Sequence, residues 1–185
     1  SAFMEKAVGL PKLLGDYAGV MRFALMLGLS RLLHALYSKK FDLARFMLFG
    51  ALLGVVCYPL TAFSEIPWLN LAGCALTGFS AGMLWPGTLV LASEKYPAGG
   101  AWLFAMLALG GDFGASFCPW LAGLLADNAS SIPILAKLGA GLSPEQLGLR
   151  SALGFSTIYP IIAVVLLMMF MKRRDNPRLR GGRLN

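Results

Sequence analysis

Charge is scarce in this chain. Only 14% of its 185 residues are Asp, Glu, Lys or Arg, against about 25% in an ordinary soluble domain. With 57% hydrophobic residues and a mean hydropathy of +0.69, a 19.8 kDa chain cannot bury its apolar surface against itself. This excludes an ordinary soluble enzyme, a disulfide-stapled secreted module and a disordered tail. Histidine is nearly absent, with His34 alone, and the three cysteines, Cys57, Cys74 and Cys118, each lie inside an apolar run. An odd number without short spacing makes neither a disulfide framework nor a metal site. They read as small core residues. There is no GxxxxGK[ST] and no HExxH, and the one His with the scattered Ser is read as no nucleophile–base pair. The expectation is no enzyme, no cofactor and no metal. The opening SAFMEKAVGL has neither an initiator Met nor a signal peptide, and it looks like a cut through a larger protein.

Long apolar runs are what the chain does have. Residues 46–63, 69–92, 101–126 and 151–171 are each apolar enough for a bilayer and are bounded by charge, Pro or Gly. A fifth span, 13–35, carries Asp16, Arg22 and Arg31. Gly15, Gly19, Arg22 and Met26 share one of its faces, as expected for a helix packed into a bundle with its charge turned from lipid. The chain therefore divides into residues 1–12, a transmembrane bundle over 13–171 and a basic tail over 172–185. Ser143-Pro144-Glu145-Gln146 is a capping-box sequence, so the last helix is expected to start at Pro144, with Pro160 kinking it.

Charge by side orients these spans. Arg31, Lys39, Lys40, Arg45, Lys95, Lys172, Arg173, Arg174, Arg178, Arg180 and Arg183 fall on one side. Lys6, Lys12, Lys137 and Arg150 fall on the other. The positive-inside rule puts the C-terminal tail in the cytoplasm. The net charge of +7 thus orients the chain in a lipid bilayer and calls for no nucleic acid.

Asp112 is the first functional candidate, because an ionisable group near the middle of a span costs several kcal/mol unless paired or hydrated. Ala105, Ala108, Asp112, Ser116, Pro119 and Gly123 share one face, a small and polar stripe suited to the wall of a hydrated cavity. The alternative is a structural Asp bonded to a neighbouring helix. Arg22 pairs with Asp112 or Asp16, or holds an anionic or hydroxyl-rich solute. Asn70, Thr77 and Trp85 lie on a second stripe, which Trp85-Pro86-Gly87 interrupts as in the broken helices of transporters. A lipid-facing Trp85 is the plainer reading. Glycine pairs at GxxxG spacing, Gly15/Gly19, Gly50/Gly54, Gly78/Gly82 and Gly110/Gly114, point to close helix packing.

Between the first two spans runs GLSRLLHALYSKKFDLAR. It resembles the basic loop between helices eight and nine of the major facilitator superfamily, with Ser38, Lys40 and Arg45 fitting. Ala35, Lys39 and Asp42 depart from that pattern. GFSAGMLWPGTLVLASEKYPAGG and GGAWLFAMLALGGDFGASFCPWLAG look like helices ten and eleven of the same superfamily. The resemblance implies an all-α integral membrane fold, the C-terminal six-helix half of a twelve-helix transporter with five full spans present. Residues 1–12 would be the end of helix seven and the loop after it. It also implies alternating access, an N-terminal half as partner, a small organic solute and coupling to H+. The MWPGT and G-D-x-G strings are similar to those of sugar permease-like members. Asp112, Arg22, Asp16, Asn70, Thr77, Trp85 and Ser116 would line the pathway. Arg31 and Glu94, with Lys40 and Arg45, would form a cytoplasmic gate. A drug exporter of the same fold and a non-transporting membrane subunit remain the alternatives.

Overall fold

The computed structural model describes residues 19–38, 41–64, 66–133, 135 and 141–174, and every regular element among them is helical. In chain order these are α1 (Met21–Tyr37), α2 (Leu43–Phe63), α3 (Pro67–Gly82), α4 (Leu84–Lys95), α5 (Gly100–Asn128), α6 (Pro144–Phe155) and α7 (Ile158–Arg174). Short 3₁₀ turns at Pro97–Gly99 and Ala129–Ser131 flank α5. Four stretches are long and apolar enough to cross a membrane: Leu43–Phe63, Trp68–Lys95, Pro97–Ser131 and Pro144–Arg174. Each encloses one of the expected spans, and the chain is a multi-pass membrane protein. Of the expected span 13–35, α1 carries the second part; residues 13–18 lie outside the described residues.

Proline breaks two of the four stretches, for one physical reason. Its missing N–H leaves the carbonyl four residues earlier without a helical partner. Pro86 releases the Gly82 carbonyl, and α3 ends there, with Met83 alone between it and α4. Pro160 likewise releases Ser156, the cap of α6, whose carbonyl accepts from the Tyr159 N–H at 3.2 Å in a tighter turn. At the start of α6 the capping box is formed, Ser143 accepting from the Gln146 N–H and Gln146 accepting from the Ser143 N–H.

Helix α2 is the centre of the bundle and packs on α3, α4, α6 and α7. Alanine and glycine allow this. A Cβ on Gly50 would lie 3.0 Å from the Ser80 carbonyl oxygen of α3, and one on Gly54 would meet both Ser80 and Pro160. Ala44, Met47, Ala51, Met83, Leu91, Val164 and Leu167 form the buried core nearby. Helix α1 packs on α3 through the second glycine pair. A Cβ on Gly78 would run into the Phe23 carbonyl, and one on Gly82 would meet Ser30 and the Leu27 carbonyl.

The residues before α2 and the end of α7 meet at one end of the bundle, called the basic end below. Asp42 caps α2 by accepting from the Arg45 N–H, and it also receives the Arg174 guanidinium in two bonds of 2.8 and 3.1 Å. The Arg174 bond, above all, holds the Asp42 carboxyl below its ordinary pKa. A depressed carboxylate stabilises the fold above about pH 4 and loses that contribution as pH falls through its lowered value. The pair is partly exposed, so it contributes no more than about 1 kcal/mol. We expect Asp42→Asn to lower the thermal midpoint slightly at pH 7. A midpoint-against-pH series should show mutant and wild type converging in acid.

Candidate functional site

Helix α5 is the element that sets the candidate site. Although it is 29 residues long, none of its residues is buried. Half-covered positions along it, among them Leu103, Leu107, Gly111, Gly114, Cys118 and Leu125, recur at three- and four-residue steps or multiples of them, and mark the side resting on the bundle. There Trp85 of α4 lies against Gly111, whose Cβ would sit 2.6 Å from the indole ring. Gly148 of α6 likewise lies against the Ala126 carbonyl, and the Cys118 thiol neighbours the buried Tyr159 hydroxyl of α7.

The small and polar stripe is on the other side. Ala105, Ala108, Asp112, Ser116, Pro119 and Gly123 are all exposed. Ser116 turns its hydroxyl back onto the Asp112 carbonyl at 3.0 Å. Beside this stripe Phe113 and Phe117 stack at 5.5 Å between ring centroids, and Trp120 follows at 5.7 Å. The site is an open helix face with a carboxylate near its midpoint, flanked by three exposed aromatic rings.

The structure brings only some of the expected residues together. Trp85 meets α5 at Gly111, on the side resting on the bundle and away from the Asp112 stripe. Arg22, exposed on α1, makes no ion pair with Asp112 among the described residues, and Asp16 lies outside them. Asn70 is fully buried in the first turn of α3, where its amide donates to the Ser64 carbonyl at 3.3 Å. Thr77 is buried too, and its hydroxyl bonds back to the Cys74 carbonyl at 2.7 Å. Neither reaches the α5 face. The Gly110/Gly114 pair, expected to pack closely, meets no atom within 4 Å at either position. The pair lies on a helix with no close neighbour there.

At the basic end the expected Arg31–Glu94 pair does not form among the described residues. Glu94 is exposed, and Arg31 donates from Nε to the Gly82 carbonyl at 3.0 Å. This is the carbonyl that Pro86 leaves free, so Arg31 satisfies the acceptor at the α3–α4 break from a neighbouring helix. Arg45 is exposed, and Lys40 lies outside the described residues. We expect Arg31→Leu to cost about 1–2 kcal/mol by stranding that carbonyl. Pro86→Ala restores an N–H for it, so the cost should shrink in the double variant; a double-mutant cycle of thermal midpoints reads the coupling.

The pairing of Asp42 with Arg174 has no counterpart in the sequence pattern. An Asp directly before an apolar helix is an N-cap signal, which could have flagged the first, while the pairing spans the whole chain and no local pattern holds it. No protein-family model, curated protein or solved structure matches this chain.

Proposed function

We propose that this chain is the C-terminal half of a secondary transporter of the major facilitator type, which moves a small polar organic solute by alternating access. One observation carries the reading. A membrane-length helix leaves every residue of its Asp112 face uncovered, and a carboxylate at that depth costs several kcal/mol in bare lipid. A second six-helix bundle facing α5 would enclose the stripe as one wall of a hydrated cavity. Asp112 and Ser116 would offer polar contacts there, and Phe113, Phe117 and Trp120 flat apolar faces. Hydroxyls over apolar C–H faces suit such a wall, and this favours a sugar or related metabolite. Arg22 and Asp16 on the first span are the further candidates for the pathway. The basic end, with Arg31, Lys40, Arg45 and Glu94, faces the cytoplasm in this reading, in a plasma or inner membrane, and movement of H+ through Asp112 drives transport.

The test is a thermal-stabilisation screen of the full-length protein in detergent against neutral sugars, sugar acids and lipophilic cations. Stabilisation by a sugar that disappears in Trp120→Ala supports the reading. Response to lipophilic cations alone would make the protein an exporter. Silence toward all three classes would favour a non-transporting membrane subunit.

A further inference from the structure

A second feature lies away from α5. At the basic end α4 and α7 diverge over α2 and leave an open groove of about 390 Å³. Leu84 and Leu91 of α4 form one wall, Leu166 and Phe170 of α7 the other, and Met47 of α2 the floor. Thr88, the groove's one hydroxyl on the helices, is turned back onto the Leu84 carbonyl at 2.6 Å. It offers little to a polar solute. A hydrocarbon chain fits such walls by van der Waals packing and brings no polar group that they would leave unsatisfied.

The mouth of the groove has the opposite character. Leu84, Thr88, Leu91 and Lys95 follow one another at steps of four, three and four, so the α4 wall ends in a cation. Its Nζ lies 5.2 Å from the Phe170 ring and 5.6 Å from the Tyr96 ring, which hold the charge at the groove rim. On α7, Ala163, Leu166, Phe170 and Arg173 continue in the same way at steps of three, four and three. The α4 wall therefore runs from aliphatic side chains to a positive charge, and Arg173 continues the face of α7 just beyond the Phe170 end of the groove. Among the described residues the neighbouring acids are Glu94, which forms no ion pair with Lys95, and Asp42, which is taken by Arg174.

We propose that this groove binds an anionic glycerophospholipid of the surrounding bilayer, one acyl chain along the apolar walls and the phosphate against Lys95 and Arg173. The charge at the mouth decides the class. A zwitterionic choline lipid would bring its own cation to Lys95, and a soluble phosphate would leave the groove empty. A basic pocket between membrane helices is a recurring setting for anionic headgroups. This site uses neither Asp112 nor the α5 face, so it stands or falls apart from transport.

The experiment measures the thermal midpoint of the full chain in detergent micelles doped with dioleoyl phosphatidylglycerol, dioleoyl phosphatidylcholine or glycerol 1-phosphate. Phosphatidylglycerol should raise the midpoint in a saturable way, and the other two should not. Lys95→Gln with Arg173→Gln should weaken the apparent affinity by about tenfold or more, the scale of two near-surface cations on an anionic lipid. Leu166→Trp, at an exposed groove position, should block the response with both cations intact; circular dichroism checks that each variant remains helical. Equal stabilisation by the two lipids would overturn the proposal, as would a response to glycerol 1-phosphate alone or a phosphatidylglycerol response unaffected by both variants. If phosphatidylglycerol bound only after removal of residues 175–185, the occupant would be the chain's own tail, and the proposal would fall as well.

Discussion

Asp112→Asn is expected to reduce uptake driven by a pH gradient by at least about tenfold, equivalent to roughly 1.4 kcal/mol in the barrier. The argument starts from cost. A carboxylate is retained near the middle of a membrane-length helix only where pairing, hydration or a proton offsets several kcal/mol. Among the described residues Asp112 has no ion pair, since Arg22 stands on α1 and α1 packs on α3, not on α5. Under the transport reading, hydration in the cavity and proton exchange fill that role. Asparagine keeps the shape and the hydrogen bonding but cannot cycle a proton. Exchange of unlabelled for labelled sugar, which needs no gradient, should therefore persist in the variant. The measurement is uptake of the sugar found by the stabilisation screen into proteoliposomes containing the full-length protein. Wild-type gradient-driven rates in Asp112→Asn would remove the residue from the coupling path.

The second large effect is structural. Gly78→Leu should destabilise the chain by about 1–3 kcal/mol or more, because the new side chain would enter occupied space and strain the packing around it. The atom in its way is the Phe23 carbonyl oxygen, part of the α1 backbone, which cannot rotate aside as a side chain does. Helix α1 would have to move off α3, exposing Ser30 and withdrawing Arg31 from the Gly82 carbonyl. Gly110→Leu is the matched control. A Cβ there meets nothing within 4 Å, so its midpoint should stay within about 0.5 kcal/mol of wild type in this chain. Equal losses from the two substitutions would contradict the helix arrangement described here. In the full-length protein, a cost appearing at Gly110 would report a second bundle seated on α5.

Much of the fold was legible before any tertiary information. Residue type and spacing placed the four apolar spans to within a few residues, because membrane-length hydrophobic runs bounded by charge have few other solutions. Ser143 and Gln146 announced the start of α6, and Pro160 the break within the last span, because capping and the missing proline N–H act within one helical turn. The stripe containing Asp112 and Ser116 was visible for the same reason, since helical periodicity alone puts them on one face.

What the stripe faces was not legible. Gly50/Gly54, Gly78/Gly82 and Gly110/Gly114 look alike in sequence, yet two pairs press on neighbouring backbone or side chains and the third meets nothing. Place along the chain points Arg31 toward Glu94, but Arg31 bonds a carbonyl on α3 that a proline frees. Asp42 and Arg174, 132 residues apart, meet because α2 and α7 pack side by side. The sequence by itself determined where the helices run, where they break and which residues share a face, since these depend on contacts within a turn or two. Only the tertiary structure decided which faces are covered and which charges find partners, because the rotation of each helix about its own axis is set by the helices packed against it.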